Sequence, residues 1–303
     1  MEPTRPKLPS EAIELYNLFI HGAIGRRAFM EGVQRFAIGG MTAATIIEAL
    51  MPNYAQGQQV SKTDDRIKAT YETVPSPQGN GSIKGYFVRP VSADTRSATA
   101  AKLPGILVVH ENRGLNPHIE DIARRLALAN FMALAPDGLT SLGGFPGDDY
   151  KGGQLFGKVD GKKMEEDFVA SALWLKSRAD CTGKIGVTGF CYGGGVSNTL
   201  AVRLGADLAA AAPFYGNVPA KEGIPKIKAA ILVHHGELDT RLAATWPAYD
   251  MALKAANVPH QGYIYPGAVH GFNCDATPER YNKAAANLAW QRTIDWFNKY
   301  VRV

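Results

Sequence analysis

One cysteine lies where an apolar segment meets a group of glycines, in the stretch KIGVTGFCYGGG of residues 184–195. Within it, GFCYG places Cys191 between Gly189 and Gly193, the spacing of a nucleophile on a sharp strand-to-helix turn. The glycines let neighbouring backbones approach closely, and the N-terminus of the next helix favours a thiolate. Cys191 is therefore a candidate nucleophile, although small residues are also common where a strand packs tightly against a helix.

A nucleophile on such a turn requires an acid and then a histidine, each in a loop after a later strand. The segment AAILVHHGELDTR supplies an apolar strand followed by Asp239, and YIYPGAVHGF supplies another followed by His270. Each residue has an alternative interpretation, a helix cap for Asp239 and a structural loop histidine for His270. The order Cys191, Asp239, His270 along the chain favours a catalytic triad.

The elements that must position these side chains alternate between short apolar strands and helices. The predicted strands are residues 106–110, 132–135, 185–188, 209–214, 230–234 and 261–265, and the predicted helices lie near 118–130, 164–178, 192–204, 246–256 and 278–300. A hairpin, with its turn at residues 79–81, precedes them. The pattern predicts an α/β fold with a mostly parallel sheet covered by helices on both faces. In such a sheet, functional side chains gather beyond the carboxyl ends of the strands.

The first sixty residues differ from the rest of the chain. Ser10 is a plausible N-cap, and apolar residues follow it at helical spacing. We therefore expect a helical N-terminal arm at residues 1–60 and a catalytic domain at 61–303, joined by the polar segment 52–65.

The arm also carries an alternative interpretation as a leader. The segment GRRAFM resembles a twin-arginine export signal, because Arg26 and Arg27 precede an apolar run. Glu48 within that run, and the long amphipathic stretch before the arginines, favour a folded arm. We expect a cytoplasmic protein, with export to the periplasm as the alternative.

Composition excludes several other classes. The net charge is +5 and the pI is near 9.0, but the basic residues form no stripe typical of nucleic-acid binding. Three cysteines without CxxC spacing predict neither a disulfide framework nor a zinc site, and no apolar run predicts a membrane span. His234 and His235 are adjacent on a strand and should face opposite sides of the sheet, so we expect no metal site there.

Four motifs in order resemble the dienelactone hydrolase family. They are VVHENRGLNPHIEDIARRLALANFMALAPDGL, GFCYGGG, HHGELDTR and YPGAVHGF, and the similarity extends from about residue 66 to the C-terminus. The resemblance implies an α/β-hydrolase fold with a Cys-His-Asp triad, and hydrolysis of an ester or lactone such as dienelactone. It implies no metal and no organic cofactor.

Carried over to this sequence, the family's triad assigns a role to each candidate. Cys191 would attack the acyl carbon and form a thioester, His270 would transfer protons, and Asp239 would orient the imidazole. Glu111 matches the family glutamate that contacts the thiol at rest and assists its ionisation when substrate binds. A solvated loop charge is the alternative for Glu111, which its place directly after a strand disfavours.

The remaining site residues concern the oxyanion and the substrate. The backbone N–H groups of Tyr192 and Asn112 match the oxyanion hole of this fold. Family enzymes bind the substrate carboxylate with arginine, for which Arg113 and Arg241 are the candidates here. The glycine-rich loop 141–157 is placed to cover the site.

The sequence therefore predicts a hydrolase of carboxylic esters or lactones, with a small-molecule substrate and no nucleic-acid or membrane partner. A second hypothesis is a catalytically weak hydrolase-fold protein that acts as a binding or assembly module. The arm is also a candidate contact for a homo-oligomer.

Overall fold

An eight-stranded sheet forms the centre of the computed structural model, which describes residues 8–20, 23–37, 42–91 and 102–302. The strands are β1 (Ile67–Ser76), β2 (Gly81–Pro90), β3 (Leu103–Val109), β4 (Met132–Pro136), β5 (Cys181–Phe190), β6 (Ala210–Phe214), β7 (Ala230–Gly236) and β8 (His260–Tyr265). Their spatial order is β1-β2-β4-β3-β5-β6-β7-β8. The six strands from β3 onward are parallel, whereas β1 and β2 form an antiparallel hairpin whose β2 pairs with β4. The predicted mostly parallel sheet is confirmed.

Helices cover both faces of this sheet. They are α1 (Ser10–Ile20), α2 (Arg26–Gln34), α3 (Ala43–Leu50), α4 (Tyr54–Gly57), α5 (Pro117–Leu128), α6 (Asp149–Phe156), α7 (Gly161–Ser177), α8 (Tyr192–Leu204), α9 (Thr240–Ala243), α10 (Trp246–Ala255) and α11 (Lys283–Tyr300). Along β3, Ile106 and Val108 pack on the side of α5 and α11, while Leu107 and Val109 pack on the side of α7, α8 and α10. A strand buried on both faces therefore reads as a continuous apolar run.

The predicted strands and helices agree with the structure to within a few residues, apart from three differences. Cys181 begins β5, so it lies in the strand and not before it. The last helix begins at Lys283 and not at residue 278, because the side chain of Asn282 caps its first turn by accepting from the Ala285 N–H at 3.1 Å. The loop 141–157 contains a helix, α6, which begins where Asp148 accepts from the Lys151 N–H at 2.7 Å.

Two sequence predictions fall partly outside the described residues. The middle of the apolar run that follows the paired arginines, at 38–41, and most of the polar loop before β3, at 92–101, lie there. Within the described residues, no helix is long and apolar enough to cross a membrane.

The arm has a small apolar core of its own. Its helices α1, α2 and α3 bury Tyr16, Phe29, Val33, Ile46 and Leu50 together. The core draws on all three helices, so their packing against one another stabilises helices that are too short to be stable alone.

Asp121 of α5 joins the connecting segment to the catalytic domain. Its carboxylate, 1% exposed, accepts from the backbone N–H groups of Gln59 at 3.1 Å and Val60 at 2.9 Å. It also accepts from Arg124 at 3.1 Å and from Arg125 at 2.7 Å. Because these donors come from both the connecting segment and α5, Asp121 fixes the direction in which the chain enters the sheet. Loss of any of these hydrogen bonds would leave a buried polar or charged group unpaired, which is costly.

We predict that Asp121→Asn destabilises the fold by about 3 kcal/mol, because it removes the buried counter-charge that Arg124 and Arg125 share and leaves each with one remaining acidic partner. Asp180→Asn is the matched control, since Asp180 pairs with Arg178 at 2.8 Å but is 39% exposed, and we expect it to cost less than about 1 kcal/mol. Urea denaturation of both variants measures the difference. Equal losses would contradict a structural role for the Asp121 cluster.

Candidate active site

Cys191 occupies a strained turn at the end of β5. Its backbone has φ 53° and ψ −110°, a conformation that residues with a side chain rarely adopt. Its N–H donates to the carbonyl of Phe214 at the end of the neighbouring β6, at 3.1 Å. The next residue, Tyr192, is the first of α8, so the thiol lies beside the N-terminus of that helix.

The glycines around Cys191 permit close approach between backbones. A Cβ added to Gly189 would lie 2.2 Å from the Gly193 carbonyl oxygen, and one added to Gly193 would lie 2.2 Å from the carbonyl oxygen of Val109 in β3. On Gly194 it would lie 2.4 Å from the Phe214 carbonyl oxygen. These distances are too short for any side chain, so the turn can form only with glycine at these positions.

His270 and Asp239 meet beyond the ends of the next two strands. Asp239 stands at the N-cap position of α9, but its carboxylate accepts from His270 Nδ1 at 2.6 Å and makes no side-chain cap bond. His270 lies in the loop after β8, with its side chain 12% exposed.

The surroundings of His270 favour its charged form. Burial lowers the pKa of the imidazole, but its hydrogen bonds with Asp239 and Cys191 outweigh that effect and raise the pKa from 6.5 to about 9. Burial raises the pKa of Asp239, yet the hydrogen bond from His270 and the positive charges of His270 and Arg241 bring it below its usual value. A charged imidazole between a carboxylate and a thiol can hold the thiol as a thiolate.

Tyr215 and His235 lie near the imidazole of His270. The ring of Tyr215 lies 5.0 Å from the His270 ring, and its backbone has φ 37° directly after β6. Burial lowers the pKa of His235 to about 4, so His235 is neutral beside the charged His270. His234 points to the opposite face, where it bonds Tyr265 at 2.9 Å and Thr293 at 3.0 Å, as its position on the strand predicts.

A buried cluster fixes the loop that carries His270. Asp275 accepts from His118 Nδ1 at 3.0 Å, from Gln59 Nε2 at 2.7 Å and from Arg125. Since His118 and Arg125 belong to α5, this carboxylate joins the histidine loop to a helix that packs on the sheet. The position of the imidazole therefore does not depend on the loop alone.

The loop after β3 brings Glu111, Asn112 and Arg113 to the same pocket as Cys191 and His270. The Glu111 charge lies close enough to act on Arg280, a guanidinium that is 7% exposed and lines the pocket. Burial opposes the charge of Arg280, while Tyr16 and Glu111 favour it and raise its pKa above the usual value. The pocket therefore holds the partly buried Glu111 side chain near a buried guanidinium.

Arg241 lies elsewhere. It is exposed, donates to the Asn217 side chain at 3.0 Å and is not among the residues that line the pocket of Cys191. Its charge acts on Asp239. Of the two candidate arginines, the structure brings Arg113 to the pocket and does not bring Arg241.

Several pocket residues escaped the sequence reasoning. Tyr16 and Tyr54 come from the arm, and the Tyr54 hydroxyl donates to the Asp149 carboxylate of α6 at 2.7 Å. Arg280 fell inside the helix predicted from residue 278. Tyr215, which contacts the His270 ring beside the pocket, did carry a usable signal, because it directly follows a predicted strand, as Glu111 does.

Comparison with known proteins gives a consistent result. The model of the dienelactone hydrolase family matches residues 84–301. A protein of Escherichia coli O157:H7 named "Putative carboxymethylenebutenolidase" is 32% identical over 257 residues, covering 80% of this chain and 90% of that protein. "Putative hydrolase fragment YghX" of Escherichia coli K12 is 52% identical over 120 residues, covering 40% of this chain and 97% of that one.

A solved structure agrees with these sequence matches. The "Putative Dienelactone Hydrolase" of Klebsiella pneumoniae superposes with a TM-score of 0.66 and 28% identity, covering 77% of this chain and 99% of that one. The superposition shows that the two proteins share the α/β-hydrolase fold in addition to their sequence similarity. Together with the match over residues 84–301, it places the chain in the dienelactone hydrolase family, as a hydrolase of the lactone and ester type.

Proposed function

We propose that the protein hydrolyses carboxylic esters or lactones through Cys191, with a thioester acyl-enzyme as intermediate. The observation that carries this proposal is the position of His270. Its Nδ1 lies 2.6 Å from Asp239, and its imidazole interacts with the thiol of Cys191 on the strained turn. Nucleophile, base and orienting carboxylate therefore stand in the relation that covalent catalysis requires.

The first half of the reaction forms the thioester. The Cys191 thiolate attacks the acyl carbon, and the carbonyl electron pair moves to its oxygen, where the N–H groups of Tyr192 and Asn112 stabilise the charge. When the intermediate collapses, the C–O bond breaks and His270 gives its proton to the departing alkoxide oxygen. Asp239 keeps the imidazole oriented and stabilises its positive charge.

The second half returns the enzyme to its resting state. His270, now neutral, takes a proton from water while the water oxygen attacks the thioester carbon. The C–S bond breaks, the acid leaves, and the Cys191 thiolate and protonated His270 are restored. The thiolate regains its proton from Glu111 as the pocket empties. With a lactone, the alcohol and acid belong to one molecule, so the product is a single hydroxy acid.

We assign Glu111 a protective role at rest. A carboxylate in the pocket of Cys191 disfavours a second negative charge there, so the free enzyme keeps Cys191 as a thiol that resists oxidation. When substrate displaces Glu111, its carboxylate takes the thiol proton and the thiolate forms. Arg280 lies in the same pocket and supplies a positive charge that favours the Glu111 carboxylate before substrate arrives.

We also propose that the arm stays with the enzyme and that the enzyme works in the cytoplasm. Tyr16 and Tyr54 of the arm line the pocket of Cys191. This lining supports the proposal that the arm is retained. Cleavage of a twin-arginine leader near residue 57 would remove it, so export remains the alternative. The arm packs on the catalytic domain of its own chain, and an oligomer formed through its outer surface stays a prediction.

We predict that Cys191→Ala lowers kcat for 4-nitrophenyl acetate by about 10⁴-fold or more, because the acyl acceptor is lost. Cys181→Ala, on the same strand but away from the pocket, should retain activity. Mass spectrometry of acid-quenched wild-type enzyme should find one acetyl group on the Cys191 peptide. Full activity in Cys191→Ala would exclude the mechanism, and an inactive wild-type enzyme would favour the binding-module alternative.

The charged triad predicts a pH-dependent stability. The pKa of His270 is about 9 when folded and about 6.5 when unfolded, so its stabilisation is complete below about pH 6.5 and lost as the pH rises toward 9. The lowered pKa of Asp239 makes its contribution disappear only in acid. We therefore expect Asp239→Asn to cost on the order of 2 kcal/mol at about pH 5.5 and much less at about pH 9.5. Urea denaturation at both pH values provides the measurement, and a cost that does not vary with pH would argue against the pair.

Arg113 is our candidate for an anionic group on the substrate. We predict that Arg113→Gln lowers the preference for a carboxylate-bearing lactone over its uncharged methyl ester by about tenfold in kcat/KM, because a charge-assisted hydrogen bond is lost. Arg241→Gln should leave that preference unchanged. If Arg113→Gln slows both lactones equally, its role is in packing and not in recognition.

A further inference from the structure

A second cavity of about 470 Å³ adjoins the pocket of Cys191. The two share Tyr16, Asn112, Arg113 and Asp149 in their walls, so the cavity begins beside the loop assigned to the oxyanion hole. Its volume lies in the usual range for small-molecule sites. We call it the aromatic chamber, after the rings of Tyr16, Phe19, Tyr150 and Phe156 that line it.

The arm supplies one wall of the aromatic chamber. Phe19 of α1 stacks on Tyr150 of α6 with ring centroids 5.7 Å apart and planes 16° apart, and it stacks on Phe29 behind it at 4.5 Å. The Arg26 guanidinium lies 5.2 Å from the centre of the Tyr150 ring. The wall is therefore built of ordered rings supported from behind.

Specific contacts hold this wall against the catalytic domain. The Tyr54 hydroxyl donates to Asp149, and the Arg280 guanidinium lies 5.7 Å from the centre of the Tyr16 ring. The Asn53 N–H donates to the Ala276 carbonyl at 2.6 Å, six residues after His270. Since these contacts fall on both sides of the pocket, the chamber has a defined shape beside Cys191.

The opposite wall touches the nucleophile's own turn. Phe156 of α6 packs edge-to-face on Tyr192, the residue after Cys191, at 4.8 Å. The chamber thus runs from Asn112, which also lines the pocket of Cys191, to Phe156 and Phe19. Flat rings favour a flat occupant, because stacked and edge-to-face aromatic contacts add about 0.5–1.5 kcal/mol beyond buried area.

We propose that the aromatic chamber binds an aromatic group of the ester substrate, so that residues of the N-terminal arm determine which esters are hydrolysed. This inference rests on the proposed hydrolysis by Cys191. It adds a substrate class and assigns a function to a segment outside residues 84–301, the part that the family shares.

The test compares full-length wild type with Phe19→Ala and Phe36→Ala. Both phenylalanines are partly buried in the arm core, but only Phe19 lines the chamber. Three substrates are compared. Trifluoroethyl acetate has no aromatic ring, trifluoroethyl phenylacetate carries one on the acyl side, and phenyl acetate carries one on the alcohol side. Release of acid is followed by titration, and kcat/KM is obtained for each.

We expect wild type to prefer one of the two aromatic esters over trifluoroethyl acetate by about tenfold or more. Phe19→Ala should reduce that ratio by about fivefold to tenfold, and Phe36→Ala should leave it unchanged. The side that carries the preferred ring identifies which part of the ester enters the chamber. A ratio that Phe19→Ala does not alter, or that both variants reduce equally, would overturn the proposal.

A binding measurement separates this proposal from the hydrolytic one. Calorimetric titration with 2-naphthylacetamide, which is not an ester, should give binding to wild type and Phe36→Ala and at least fivefold weaker binding to Phe19→Ala. If no ester is hydrolysed but this difference appears, the chamber stands and the proposed function fails. If esters are hydrolysed but 2-naphthylacetamide binds all three proteins equally, the chamber proposal fails alone.

Discussion

The close crossing of backbones at Cys191 is the constraint on which the rest of the site depends. Gly189, Gly193 and Gly194 bring β5 and α8 within contact of the carbonyls that end β3 and β6. That proximity holds Cys191 at a positive φ that it would not adopt alone. It also determines which loops can reach the thiol, because the strands on either side of β5 are β3 and β6. Glu111 and Tyr215 lie near Cys191 for this topological reason.

Charge balance is the second condition. The acidic and basic side chains near Cys191 are largely shielded from water, and a charge there is costly unless it is paired. His270 pairs with Asp239, and Glu111 lies near enough to Arg280 to favour the charge of that guanidinium. The buried guanidinium thus lets a carboxylate stand in the same pocket as a thiol without leaving an uncompensated charge in the domain.

The sequence predicted the sheet, and the loops that bring Cys191, Asp239 and His270 together, because those features have local signals. Apolar runs ending in Cys191, Asp239 and His270 specify both the strands and the loops that follow them. Arg241 shows the limit of this reasoning. It follows Asp239 by two residues, yet the first turn of α9 directs it to Asn217 and away from the pocket. Adjacency along the chain does not determine the direction of a side chain.

No local sequence pattern predicted that the arm would line the pocket, because the contacts that hold it there join residues far apart along the chain. Tyr54 reaches Asp149 across 95 residues, and nothing in YAQG or in GDDY specifies that pair. The start of α11 was misplaced for a related reason. The turn at 278–282 is needed to put Arg280 into the pocket, and only the folded structure reveals that need.

The same long-range contacts connect the arm to the chemistry. A Cβ on Gly152 would lie 2.4 Å from the Arg113 carbonyl oxygen, and one on Gly153 would lie 2.0 Å from its guanidinium. Helix α6 therefore packs directly on the loop that also carries Asn112. Because α6 contacts the arm through Asp149 and Tyr150, the position of the arm bears on the loop that we propose stabilises the oxyanion. The N-terminal arm lies outside the part of the chain that the family shares. Through α6, it is thus connected by direct packing contacts to the pocket of Cys191.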